Sequence, residues 1–283
     1  MKRKTRVTIL SVAGVALAAG FAVILFLNNV FTPSNGKRYD LENCERTENE
    51  LTDKTIYWLG SSVTLGMESN NTAIADYIAA RNGTKCVKEA VSGTTLIDKP
   101  YVKWFQSYDS YVTRLKTTDK FDRTAEIDAF VCQISTNDAK AENISCWGEL
   151  TSADTTSAAQ FDVQTTIGAM EYIVSYVTST WHCPVYFYSG VHVDDEGLRA
   201  SDFIKGSDYR KLIEKTYELA EKWNGVEGAE VRIIDLFNDE RLNDISDADY
   251  KRYMHDAVHP YKAGYLEWWT PAFERVFLKD FGK

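Results

Sequence analysis

The chain has 283 residues, 41 of them acidic and 32 basic, for a formal net charge of -9 and a pI near 5.1. That balance argues against a nucleic-acid partner, because neutralising phosphates requires a basic face. Hydrophobic residues make up 44% of the chain, enough to fill a sizeable core in an α/β domain of this length.

Residues 1–6 are basic, and residues 7–31 form an uncharged, largely apolar run. A run of that length predicts one transmembrane helix, since about 20 residues cross a bilayer. The basic flank belongs in the cytoplasm, which puts the bulk of the chain outside the cell membrane. Cleavage as a signal peptide, giving a secreted protein, is the alternative, and Ala16-Leu17-Ala18 offers the small-x-small pattern. The apolar run continues through residues 21–27, which favours an uncleaved signal anchor. Residues 32–54 read as a linker leading into a domain over 55–283. The five cysteines, Cys44, Cys86, Cys132, Cys146 and Cys183, have no CxxC spacing, which argues against a zinc site. Their odd number leaves at least one thiol unpaired within the chain, and spacing alone decides no pairing.

From residue 55 onward, short apolar strands alternate with helical patterns. Residues 55–60 form a first strand rich in β-branched and aromatic side chains, closed by Gly60. Residues 73–80 have helical spacing, and 84–91 form a second strand that runs into the turn Ser92-Gly93-Thr94. Residues 101–115 predict an aromatic-rich helix. A third strand over 129–134 ends at Ser135-Thr136-Asn137-Asp138. A long helix is expected over 158–180, a fourth strand over 184–188, and a helix over 208–223 with Leu212, Ile213, Thr216, Ala220 and Trp223 on one face. Residues 231–236 form the fifth strand. The last helix, 263–278, contains Pro271, which is expected to kink it.

Five strands separated by helices predict a three-layer α/β/α domain around a five-stranded parallel sheet. Ligands of such sheets bind beyond the carboxyl ends of the strands. That rule gathers Ser61 and Ser62 after strand one, Gly93 after strand two, Asn137 after strand three, and Asp256 and His259 after strand five. A serine hydroxyl needs a neighbouring base to act as a nucleophile. His259 is such a base, and Asp256, three residues earlier, is placed to orient its ring. Each residue alone fits a plainer role: a helix cap for the serine, a turn for Gly93 and Asn137, a loop hydrogen bond for Asp256 and His259.

The four short motifs, in their order and spacing, resemble those of the SGNH hydrolases, the GDSL-type esterase and lipase superfamily, over residues 55–281. Gly60-Ser61-Ser62 resembles the block with the nucleophile, and that register selects Ser62 over Ser61. Gly93 matches the glycine block, Asn137 the asparagine block, and Asp256-Ala257-Val258-His259 the last block. The resemblance implies a flavodoxin-like fold and a catalytic triad of Ser62, His259 and Asp256. It also implies an oxyanion hole from the backbone N–H groups of Ser62 and Gly93 with the Asn137 amide. Two positions depart from the pattern: Ser61 stands where the family usually has Asp, and Ser135 where its third block begins with Gly.

A rival chemistry is a metal held by His255 and His259, four residues apart. The zinc peptidase motif needs Glu after the first His, and Pro260 stops a continuing helix. No metal and no cofactor are therefore expected. His192, Trp104 and Trp147 are secondary candidates for the substrate cleft, whereas Trp268 and Trp269 are expected to pack. The expected activity is carboxylic ester hydrolysis outside the cytoplasm, removing O-acetyl or other short acyl groups from a glycan. The alternatives are a lipase or small-ester esterase, an O-acyltransferase of the same fold, and a non-catalytic glycan-binding domain.

Overall fold

The computed structural model describes residues 33–103 and 105–282. The expected transmembrane helix and Trp104 lie outside them. Among the described residues, no helix is long and apolar enough to cross a membrane.

Five parallel strands form the central sheet: β1 (Thr55–Gly60), β2 (Lys85–Ala90), β5 (Ala129–Gln133), β6 (Val185–Tyr188) and β7 (Val231–Ile234), in the order β2-β1-β5-β6-β7. All five lie where the sequence put them. Both faces of a parallel sheet are covered, so its inner strands read as unbroken apolar runs; every residue of β5 and β6 is buried. Successive side chains point to opposite faces. Trp58 on β1 and Tyr188 on β6 meet Phe273 of α8 (Thr270–Phe281). Tyr57 and Phe130 turn the other way, onto Phe121 and onto Trp181 at the end of α4 (Thr166–Trp181). The first face is completed by α2 (Ile74–Asn82), and the second by α3 (Tyr111–Thr117) and α5 (Gly206–Asn224).

Three expected helices are corrected. Residues 101–108 form an antiparallel hairpin of β3 (Tyr101–Lys103) and β4 (Gln106–Tyr108), and the helix begins only at Tyr111. Ser110 caps it by accepting the Thr113 N–H at 3.0 Å, and Phe105 takes a positive φ of 68° in the hairpin turn. The 158–180 pattern is α-helical only from Thr166, where Thr165 caps the first turn, with a separate 3-10 turn at Ala158–Gln160. The last helix changes type just before Pro271. It opens with a π-helical segment, Gly264–Trp269, in which Tyr265 accepts from the Thr270 N–H and from its hydroxyl, the latter at 2.7 Å. Pro271 is the second residue of α8, directly after that segment.

Three short 3-10 turns, Pro33–Asn35, Lys37–Tyr39 and Leu41–Asn43, precede β1. They are folded against the domain. Tyr39 is buried and its carbonyl accepts from the Tyr77 hydroxyl at 2.7 Å; the Asn35 side chain accepts from the Lys262 N–H at 2.9 Å. All five cysteines are unpaired.

Candidate active site

The strand order reverses between β1 and β5, because the chain first adds β2 on one side of β1 and then β5 on the other. In open α/β sheets the crevice beyond that switch point is where ligands bind. Here it is a cleft of about 220 Å³ whose walls include Ser62, Gly93, Asn137 and His259. The four loops that the sequence pointed to therefore meet at one edge of the sheet.

Ser62 opens α1 (Ser62–Leu65), a single turn that follows β1 directly. Its Oγ lies 2.8 Å from His259 Nε2. His259 Nδ1 faces Asp256, 2.9 Å from Oδ2 and 3.1 Å from Oδ1. Asp256 Oδ1 also accepts the backbone N–H groups of Val258 and His259, both at 2.7 Å. The Asp-x-x-His spacing thus closes a tight loop, which the His255 N–H to His259 carbonyl bond at 2.9 Å fastens at its base. Burial pushes the Asp256 carboxyl up, but the hydrogen bond and charge of His259, with the two backbone donors, outweigh it and hold the carboxyl below its ordinary value.

Ser61 is turned away from this chain of contacts. It is fully buried, and its N–H donates to Gln133 Oε1 at 3.0 Å. The same oxygen accepts the Thr64 hydroxyl at 2.9 Å and the Thr64 N–H at 3.3 Å. Gln133, the last residue of β5, thereby fixes the turn that carries Ser62. Two tyrosines hold the turn from the other side: Tyr265 donates to the Val63 carbonyl at 2.6 Å, and the Tyr188 hydroxyl is 2.6 Å from Thr64 Oγ1. Gly60 has to be glycine, since a Cβ there would stand 1.8 Å from Thr64 Oγ1.

The Asn137 amide lines the cleft and donates one hydrogen to the Thr94 carbonyl at 2.9 Å, which leaves its second for a ligand. Gly93 has φ +84°, and a Cβ there would come within 2.3 Å of the Tyr101 ring. As the first residue of a helix, Ser62 has a backbone N–H that the helix leaves free. Two buried charged residues brace these loops. Asp138 accepts the N–H groups of Leu96 and Ile97 at 2.8 and 3.2 Å. Arg114 donates to the Gly60 carbonyl at 2.9 Å and to Thr94 Oγ1 at 3.0 Å, and pairs with Glu89 at 3.2 Å.

Two of the secondary candidates, His192 and Trp147, stay outside the cleft. His192 lies 3.0 Å from Asp194 and packs on Phe237, so it does not reach the wall. Trp147 is buried and donates to the Asp138 carbonyl at 2.8 Å, bracing the Asn137 loop instead of meeting a ligand. His255 Nδ1 sits 3.0 Å from the Tyr261 hydroxyl. The sequence reading missed Gln133 and Arg114, because a polar residue at a strand end and an arginine on a helix give no signal until the loops they join are in place. It also missed Tyr101, Lys103, Phe203 and Ile204 in the cleft wall; the first two ride on the hairpin that had been read as helix.

No protein-family model and no curated protein matches the sequence. Solved structures do. A carbohydrate acetylesterase family member from Sinorhizobium meliloti aligns with a TM-score of 0.52 at 13% identity, covering 81% of this chain and 100% of that one. A protein from Lactobacillus plantarum aligns with a TM-score of 0.51 at 20% identity, covering 81% and 98%. A family two carbohydrate esterase from Clostridium thermocellum gives 0.50 at 13% identity, covering 80% of this chain and 64% of that one. At such identities the likeness shows the fold alone, one that this chain shares with carbohydrate esterases.

Proposed function

We propose that this chain is a serine esterase that removes O-acetyl or other short acyl groups from a carbohydrate, working outside the cytoplasm on a membrane anchor formed by residues 7–31. The observation that carries the esterase reading is the line of contacts from Ser62 Oγ through His259 to Asp256, with the hydroxyl at the wall of a cleft. In this reading Ser62 Oγ attacks the ester carbonyl while His259 Nε2 takes its proton. Asp256 keeps the ring oriented and stabilises the imidazolium. Negative charge develops on the carbonyl oxygen, where the N–H groups of Ser62 and Gly93 and the free Asn137 amide hydrogen donate to it. One such donor is typically worth about 100-fold to 1000-fold in rate. His259 returns its proton to the leaving sugar oxygen, and a water activated by the same base then frees the acyl group from Ser62.

The carbohydrate part of the proposal draws on the two fold relatives that are carbohydrate esterases and on the small cleft, which suits a short acyl chain. The test is hydrolysis of a short-chain chromogenic ester by the full chain in detergent. Ser62→Ala is expected to lose activity by about 10⁴-fold or more, while Ser61→Ala, whose hydroxyl faces Gln133, keeps most of it. Equal losses in both variants, or none in Ser62→Ala, would remove the basis for the assignment. Release of acetate from an acetylated polysaccharide then decides the carbohydrate part.

A further inference from the structure

Two lysines and no carboxylate stand among the described residues of the cleft wall, on a chain that is negatively charged overall. Lys103 from the β3–β4 hairpin and Lys140 from the loop after Asn137 lie in the same wall as Ser62 and His259. Lys140 continues into an adjoining hollow lined also by Lys99, where Glu142 is the one carboxylate among the described lining residues of either space. The wall around Ser62 has none. The whole sequence carries nine more acidic than basic residues, so three lysines against one carboxylate reverses its own bias. Nor are the two nearest lysines committed to holding the fold. Among the described residues neither Lys103 nor Lys140 makes an ion pair; Lys140 Nζ stands over the Phe203 ring at 5.9 Å, and Lys99 Nζ donates to Asn143. Some other surface lysines are paired, such as Lys54 with Asp128 and Lys120 with Glu89.

From this placement, and resting on the esterase reading of the same cleft, we infer that the substrate carries an anionic group on its alcohol side, close to the acylated hydroxyl. Lys103 and Lys140 are the specificity-determining residues that receive it. The lysines come from two elements on the cleft wall, so a sugar with its acyl group at Ser62 has its neighbouring substituents between them. A carboxylate or a phosphate meets that requirement. Compact, flexible ammonium groups suit either, without the planar fork that arginine would impose. The apolar part of the wall, Phe203, Ile204 and Val258, remains for the acyl chain and the ring face.

The experiment compares three acetylated monosaccharides with the full chain in detergent: a methyl glucoside, the corresponding glucuronide, and the glucoside 6-phosphate. At low salt the anionic esters are expected to show kcat/KM about tenfold above the neutral one, the order expected for two part-exposed charges. The ratio falls towards one at high salt and in the Lys103→Gln/Lys140→Gln double variant, and returns when both lysines are replaced by Arg. The glucuronide and phosphate arms tell a sugar acid from a phosphate as the preferred anion. A wild-type ratio at or below one, or a ratio unchanged in the double variant, overturns the inference while leaving the esterase reading intact. If no ester is turned over, the esterase reading fails first. Calorimetric binding of the deacetylated glucuronide against the glucoside then decides the lysines by itself: equal affinities reject the inference, and a preference lost in the double variant supports it.

Discussion

Asp256 has two duties that can be separated. It orients His259 through Nδ1, and it closes its own loop by accepting two backbone N–H groups. Asn at this position keeps one acceptor oxygen for the loop but presents an amide to the ring. Asp256→Asn is therefore expected to cost about 10⁴-fold in kcat with little change in KM, as for the corresponding change in other triads. Its effect on stability should depend on pH. The folded carboxyl sits below its ordinary value, so the charged form contributes stability at pH values above the unfolded carboxyl range, about 3.9. That contribution is lost as pH falls through the folded value. The melting-temperature gap between wild type and Asp256→Asn should be widest near pH 7 and close below about pH 4. A gap that widens with acid would contradict the assignment. The sequence alone made this pair legible because both partners lie within three residues. Gln133 was not legible: it serves Ser61 and Thr64, about seventy residues earlier in the chain, across a strand pairing.

Among the elements, the one-turn helix Ser62–Leu65 controls the position of the nucleophile, and Gly60 permits it to lie against the end of β1. A Cβ at Gly60 would meet both Oγ1 and Cβ of Thr64, at 1.8 and 2.5 Å, so no rotation of the threonine relieves it. Gly60→Ala should lower the melting temperature by several degrees, consistent with overpacking of about 1–3 kcal/mol, and reduce kcat by displacing Ser62. An unchanged melting temperature with full activity would show that the strand end is looser than described. The five strands could be read from sequence because four are short, mostly apolar runs bounded by polar turns, and the other, Lys85–Ala90, runs straight into the turn at Ser92-Gly93-Thr94. The hairpin could not. The spacing of Tyr101, Phe105 and Tyr108 suits a helix face as well as a two-stranded ribbon, and the deciding feature is the turn conformation of Phe105. The missed hairpin is also what brings Tyr101 and Lys103 to the cleft, so an error over one element hid part of the site.

For the whole molecule, the sheet order β2-β1-β5-β6-β7 explains why residues almost two hundred positions apart form one site. Parallel strands all deliver their following loops to the same edge, and the reversal beside β1 leaves a gap between those loops. This is why four weak motifs could be assembled from sequence into one constellation, and why the braces behind them, Gln133, Asp138 and Arg114, could not. Three of the motifs lie within a few residues of a strand end and the fourth is a self-contained Asp-x-x-His loop, so each has a local signal; the braces depend on which strands pair and which loops touch. The central claim is that this arrangement makes Ser62, among all the serines of the chain, a nucleophile. The most direct measurement is reaction of the full chain with a serine-directed phosphonate, followed by peptide mass mapping. One adduct per chain, on Ser62, absent from Ser62→Ala and slowed in His259→Ala, is the predicted result. A folded chain that takes up no phosphonate, or takes it up elsewhere, would contradict the account.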